Sequence, residues 1–269
     1  MADRGEIFVR SFWLMLMLAA TVPACLAEEP GPAEGPKSVD LGPVFQKWAL
    51  DTRSQGDRGT CSAVVVAAAI EYAAAGKQGR ATRLSVEFLN WASNQVAGHA
   101  ADGGFFADLW KGYAAYGICP EDDMPYRRHF DPALRPSKEA LARAEEFRAL
   151  ALQLHWIKRW DPHQGLSDAQ LDKVKRTLRH GWPVCGGFLW PKQERWQDGV
   201  LQMCPRGEVF DGHSVLLVGY RDDDTQPGGG VFLIRSSSGD RREGLMSYEY
   251  VRAYTNDAAW IGAGEGPLP

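Results

Sequence analysis

Ser54-Gln55-Gly56-Asp57-Arg58-Gly59-Thr60-Cys61-Ser62-Ala63, running on into Val64-Val65-Val66-Ala67-Ala68-Ala69-Ile70, sets one cysteine between a Gly-rich turn and an Ala/Val-rich segment. From Ser62 to Ala75 the residues are apolar almost all round, which predicts a buried, central helix stopped by Gly76. A thiol at the start of such a helix meets unpaired N–H groups and the positive end of the helix dipole, which favour the reactive thiolate. Gln55 adds an amide six residues upstream that can point back at the same place. On its own, a cysteine in such a segment is usually a small buried hydrophobe, so chemistry needs a partner.

His213 supplies one. It stands in Phe210-Asp211-Gly212-His213-Ser214-Val215-Leu216-Leu217-Val218-Gly219-Tyr220, at the entry of a strongly apolar strand. Taken singly, a histidine satisfied by a carbonyl at a strand end would explain it equally well.

The remainder of the chain sets the frame. With 269 residues, 45% hydrophobic and 11% aromatic, it can bury a full core and reads as one domain of two lobes. A net charge of −4, with no basic run longer than Arg127-Arg128 or Arg241-Arg242, excludes a nucleic-acid partner. Arg4 and Arg10, the apolar run Phe12 to Ala20 and the small residues Ala24-Cys25-Leu26-Ala27 have the layout of a signal peptide, 1–27. Export to the periplasm or medium is therefore expected. The run is too short for a membrane span. Val22-Pro23-Ala24-Cys25 also loosely resembles a lipoprotein signal, which would place a lipid anchor on Cys25, although Pro23 fits that pattern poorly. Residues 28–38 read as a Pro/Gly-rich linker and 39–265 as the folded domain, with no large propeptide between.

Helices are expected from Ser62 to Ala75, from a Ser85 cap to about Val96, from Gly104 to Tyr116, from Lys138 to about Leu152 behind Ser137, and behind a Ser167/Gln170 capping box up to Gly181. Thereafter Pro183–Leu189, Ser214–Tyr220, Val231–Arg235, Leu245–Arg252 and Ala258–Gly262 read as antiparallel strands. Helices first and strands second give an α+β class, with a natural site in the cleft between lobes. If Cys61 is free, Cys119, Cys185 and Cys204 can form at most one disulfide. Asp222-Asp223-Asp224 reads as a hairpin turn. The six histidines show no metal-ligand pairing, and neither Cys-x-x-Cys nor Gly-x-Ser-x-Gly occurs, so no metal, no cofactor and no serine nucleophile are expected.

Several stretches, in order, carry a resemblance. Gln55-Gly56 with Gly59-Thr60-Cys61-Ser62-Ala63, Leu84-Ser85-Val86-Glu87-Phe88-Leu89, Asp102-Gly103-Gly104-Phe105, Tyr116-Gly117-Ile118 with Met124-Pro125-Tyr126, and His213-Ser214-Val215 through Val218-Gly219-Tyr220 are similar to the motifs of the papain-like cysteine proteases. Cys61 and His213 lie 152 residues apart, close to the roughly 130–150 between nucleophile and histidine in that family. The likeness covers most of residues 39 to 262 and looks closer to bacterial-type members than to lysosomal cathepsins. It implies a two-lobed fold and acyl transfer, with Cys61 as nucleophile, His213 as base and acid, and Gln55 with the Cys61 N–H in the oxyanion hole. It further implies that Gly103 and Gly104 take an extended peptide edge-on, while Phe105 walls a specificity pocket.

The resemblance also has gaps. Where the family carries Lys-Asn-Ser-Trp-Gly, this chain has Arg235-Ser236-Ser237-Ser238-Gly239, so Ser236 replaces the Asn that orients the histidine and Ser238 the Trp that shields it. A serine hydroxyl is shorter and is expected to work through a water. A tenfold to hundredfold loss would be about 1.4 to 2.8 kcal/mol of transition-state stabilisation. If that limits the rate, Ser236→Asn raises activity. Arg58 stands in place of a disulfide cysteine and reads as a solvated turn arginine; Ser62 replaces a Trp. The expected protein is a monomeric peptidase acting on peptides or proteins. The alternative is an impaired homologue that binds peptides in the same cleft. A transglutaminase-type Cys-His-Asp enzyme would need its histidine much nearer the cysteine.

Overall fold

The computed structural model describes residues 35–239 and 241–263, so the expected signal peptide 1–27, Cys25 and most of the expected linker lie outside the described residues. In chain order the elements are β1 (Ser38–Asp40), α1 (Gly42–Lys47), α2 (Cys61–Gln78), α3 (Val86–Ala97), α4 (Phe106–Tyr116), α5 (Lys138–Arg148), β2 (Gln153–Lys158), α6 (Asp168–Arg179), β3 (Val184–Pro191), β4 (Trp196–Gln197), β5 (Val200–Leu201), β6 (Val209–Asp222), β7 (Gly230–Ser236), β8 (Glu243–Ser247), α7 (Tyr248–Tyr254) and β9 (Thr255–Gly262). The strands form one sheet in the order β2-β9-β3-β6-β7-β8-β5-β4, with β1 added beside β6. All the pairings are antiparallel except β5 with β8. The class is α+β, as expected.

Helix α2 positions everything else. It has no polar face, buries 14 of its 18 residues and packs against α3, α4 and strands β3, β6 and β9. The Cys185 thiol of β3 reaches the Val65 carbonyl of α2 at 3.8 Å, so sheet and helix meet closely there. One contiguous core runs from Val65 and Ile70 through Val184 to Val215 and Leu217. In the helical half, α4 lies hard against α3 at Gly112, where a Cβ would come within 2.5 Å of the Ser93 nitrogen. A glycine inside a helix is otherwise unfavourable by about 1 kcal/mol relative to alanine, and this close approach accounts for it.

Several expectations need correction. Helix α2 ends at Gly79, with φ +68°, rather than at Gly76: a glycine within a fully packed helix stays helical, and the left-handed residue comes three later. Helix α4 starts at Phe106 rather than Gly104. Helix α5 stops at Arg148 rather than near Leu152, and β2, which the sequence reading did not include, begins at Gln153. The segment Leu245–Arg252 is not one strand. Ser247 accepts the Tyr250 N–H and caps α7, which ends β8. The caps at Ser85 and Ser137, and the box at Ser167 and Gln170, form as expected. The last linker residues are tied to the sheet: Tyr220 donates its hydroxyl to the Pro36 carbonyl and the Asp222 N–H bonds to that of Lys37. Among the described residues no helix is long and apolar enough to cross a membrane.

Candidate active site

Cys61 is the first residue of α2, and its N-cap Thr60 makes no side-chain cap bond. The Thr60 hydroxyl instead pairs with the Tyr126 hydroxyl at 2.6 Å. No capping oxygen therefore competes for the N–H groups of the first turn, which are left to act on the thiol. The Cys61 side chain is buried at 8% exposure and its Sγ lies 3.7 Å from the Gly212 carbonyl oxygen.

The next residue is His213. Strand β6 pairs with β3 as Phe188 with His213 and then Leu189 with Asp211, so an irregularity in register falls at Gly212, where φ is +145°. Such a kink re-aims the neighbouring side chain. The ring is buried, and its Nε2 lies 3.0 Å from Ser236 Oγ at the end of β7. The expected bridging water is thus unnecessary: the serine reaches the ring directly. Ser236 Oγ also accepts the Ser238 N–H at 3.4 Å, which steadies it. With Nε2–H donated to the hydroxyl, Nδ1 is the nitrogen left for a thiol proton.

Cys61 and His213 line one cleft of about 220 Å³ with Ser62, Gly104, Phe105, Trp160, Asn256 and Asp257. Burial pushes the Cys61 thiol up, against the pull of the Ser214 and Ser62 N–H groups. Burial likewise lowers His213 to about 4, opposed by the charge of Glu194. Each group alone is neutral near pH 7, so charge arises here only if both are made together.

Gln55 is held from both ends. Its Nε2 donates to the Arg58 carbonyl at 2.6 Å and its Oε1 accepts from the Ser237 hydroxyl at 2.7 Å. One Nε2 hydrogen remains. Gln55 does not itself line the cleft, and Ser237, the residue that sets its direction, escaped the sequence reading because a hydroxyl in a serine triplet carries no pattern.

Arg58 is no solvated turn residue. It is 5% exposed, bonds Glu87 from α3 at 2.5 Å and Asp102 at 2.8 Å, donates to the Arg127 carbonyl and lies over the Tyr126 ring. Burial works against its charge, but the bonds to Asp102 and Glu87 prevail and hold it above the ordinary arginine range. A charged strut thus ties the loop before Cys61 to the Asp102-Gly103-Gly104 segment, at the position where the resemblance leads one to look for a disulfide cysteine. Cys61, Cys119, Cys185 and Cys204 are all free thiols.

The two glycines do different work. Gly103 has φ +85°, and a Cβ there would come within 2.1 Å of the Gly59 carbonyl; its N–H donates to Asn90 Oδ1 at 2.8 Å. Gly104 lines the cleft and donates its N–H to Ser62 Oγ at 3.2 Å. Phe105 is 51% exposed rather than a core residue, and meets Trp160 edge-on at 5.3 Å between ring centres. Trp160, Asn256 and Asp257 were not anticipated. Only an aromatic among charged residues, Lys158-Arg159-Trp160-Asp161, hinted at the first.

The model of the papain family of cysteine proteases matches residues 35–257. No curated protein matches the chain. Among solved structures, xylellain, a cysteine protease from Xylella fastidiosa, superposes with a TM-score of 0.65 at 23% identity, covering 84% of this chain and 86% of its own. Digestive procathepsin L 3 of Tenebrio molitor larval midgut gives 0.58 at 20% identity over 86% of this chain and 71% of its own. The cysteine protease Amb a 11 of ragweed pollen, in its proform, gives 0.62 at 18% over 88% and 69%.

Proposed function

We propose that this chain, which belongs to the papain family of cysteine proteases, hydrolyses peptide bonds through an acyl-enzyme on Cys61. His213 takes the thiol proton, and the thiolate attacks the scissile carbonyl carbon. The tetrahedral oxyanion meets the Cys61 N–H, and the remaining Gln55 amide hydrogen joins it when that side chain, outside the cleft lining here, turns toward the bound substrate. As the C–N bond breaks, the imidazolium gives its proton to the leaving amine; water, activated by His213, then releases the acid and restores the thiol. Ser236 orients the imidazole. With the Gly103 and Gly104 N–H groups already bound, an extended substrate would donate its own N–H to the Gly104 carbonyl, with a side chain against Phe105. Residues 39–265 form the catalytic domain, exported by segment 1–27 and acting as a monomer.

The observation that carries this reading is the shared cleft: Cys61 against the Gly212 carbonyl, and His213 beside it bound to Ser236 on the far side. A thiolate and imidazolium formed together attract each other, by about 4 kcal/mol for a separation of about 4 Å at an effective dielectric of about 20. That offsets part of the burial penalty, which falls on the thiolate as well as on the imidazolium, roughly 3 kcal/mol for the imidazolium alone. A panel of mixed peptides should be cleaved by the reduced domain and by neither Cys61→Ala nor His213→Ala. Peptide binding with no cleavage would leave an impaired homologue instead.

A further inference from the structure

Ser236 engages one edge of His213, and another part of the ring meets an aromatic wall. Trp190 of β3, 3% exposed, packs on the imidazole edge-to-face, with 4.6 Å between ring centres and 65° between planes. The indole is itself anchored: its Nε1–H donates to Glu194 Oε1 at 2.8 Å. The other carboxylate oxygen accepts the Trp196 indole N–H, also at 2.8 Å, so Glu194 is fixed between two rings. The titratable groups around His213 are Cys61 from α2, Glu194 after β3 and Asp257 of β9, which lines the same cleft. Strand β7 adds only the Ser236 hydroxyl, and β3 the rings of Phe188 and Trp190.

We propose that Trp190 and Glu194 are positioning residues for His213: the anchored indole covers a flank of the ring that Ser236 leaves open, and the carboxylate's charge favours the imidazolium formed when Cys61 gives up its proton. The inference rests on the reading of His213 as the proton acceptor. It explains how a histidine oriented by one short hydroxyl, with Ser238 beside it rather than an aromatic, keeps a single orientation. The Trp190 ring approaches from β3, not from the segment after β7. Burial alone would keep His213 neutral, and Glu194 is the group whose charge opposes it.

The test uses Glu194→Gln, Glu194→Asp and Trp190→Phe in the full domain. Glu194→Gln should move the alkaline limb of the kcat/KM profile about half a pH unit downward at low ionic strength, because the imidazolium loses a stabilising charge. Salt should shrink that shift, since Glu194 is exposed. Glu194→Asp should keep the wild-type limb. Trp190→Phe should lower kcat about threefold to tenfold, with KM unchanged, as expected for a positioning defect. A merely structural role would scale the rate equally at every pH. An alkaline limb in Glu194→Gln that coincides with wild type at low salt overturns the charge role, and an unchanged kcat in Trp190→Phe overturns the positioning role. The His213 ring nitrogen resonances read orientation without turnover: single and sharp in wild type, broadened or moved in Trp190→Phe. If wild type cleaved no peptide, the peptidase reading would fall, and those resonances would still decide whether Trp190 holds the ring.

Discussion

Ser236→Ala removes the hydroxyl that lies 3.0 Å from His213 Nε2. Both residues are almost fully enclosed, His213 at 6% and Ser236 at 5% exposure, so no bulk water replaces the lost acceptor. A buried donor left without a partner costs about 1–3 kcal/mol. Because the ring must donate through Nε2 while Nδ1 carries the transferred proton, that penalty falls on the transition state; at 1.36 kcal/mol per tenfold, kcat should drop about 5- to 150-fold. KM should hold, since Ser236 does not line the cleft. Steady-state kinetics on a peptide substrate at neutral pH, with thermal melting to confirm folding, checks this. The companion variant Ser236→Asn should bring no gain: the hydroxyl already touches the ring, and the longer amide has to enter a filled site. A Ser236→Ala enzyme within twofold of wild type, or a several-fold faster Ser236→Asn, would refute the reasoning.

Arg58→Met leaves the Glu87 and Asp102 carboxylates facing a gap, so unfolding free energy in urea should fall by about 3–5 kcal/mol; a loss under 1 would show that the strut does not hold the loop. In Cys61→Ala, His213 should titrate near 4 by NMR, well below its unfolded value. The unfolded state then binds the extra proton, so this contribution to stability is full above pH ~6.5 and fades as pH falls towards 4, by about 3 kcal/mol in all. His213→Gln in the same background should remove that acid loss; an unchanged pH dependence would contradict it. With all four described cysteines free, a reducing agent should leave the melting temperature unmoved, and a drop of several degrees would disprove it.

Local chemistry made much of this legible. Ser85, Ser137 and Ser167 cap helices because a serine before an amphipathic run has little else to do, and Cys61 begins α2 because the glycine turn ends there. Leu245–Arg252 was misread because its tyrosines and valine suit a strand, and only the tertiary fit lets Ser247 cap a helix instead. Gly76 and Gly79 look alike in sequence; the backbone angle that separates them is set by packing. At the site, that Cys61 and His213 share one cleft was legible because a cysteine at a helix start and a histidine at an apolar strand entry are rare. Their supports were not. Ser237 under Gln55, Glu194 under Trp190 and Asp102 under Arg58 are ordinary residues whose partners lie 182, 4 and 44 positions away, and only the folded sheet and loops bring each pair to bear on the cleft.

The most direct measurement is covalent labelling of the reduced domain with an epoxide or alkylating probe, mapped by mass spectrometry beside residual peptide cleavage. Cys119 and Cys185 are fully buried and Cys204 is partly exposed, so mapping by peptide separates the sites. One probe on Cys61 should abolish cleavage, with labelling lost in His213→Ala, whose thiol lacks its proton acceptor. Cleavage that survives complete Cys61 modification, or a Cys61 that reacts as fast without His213 as with it, would contradict a Cys61–His213 catalytic pair.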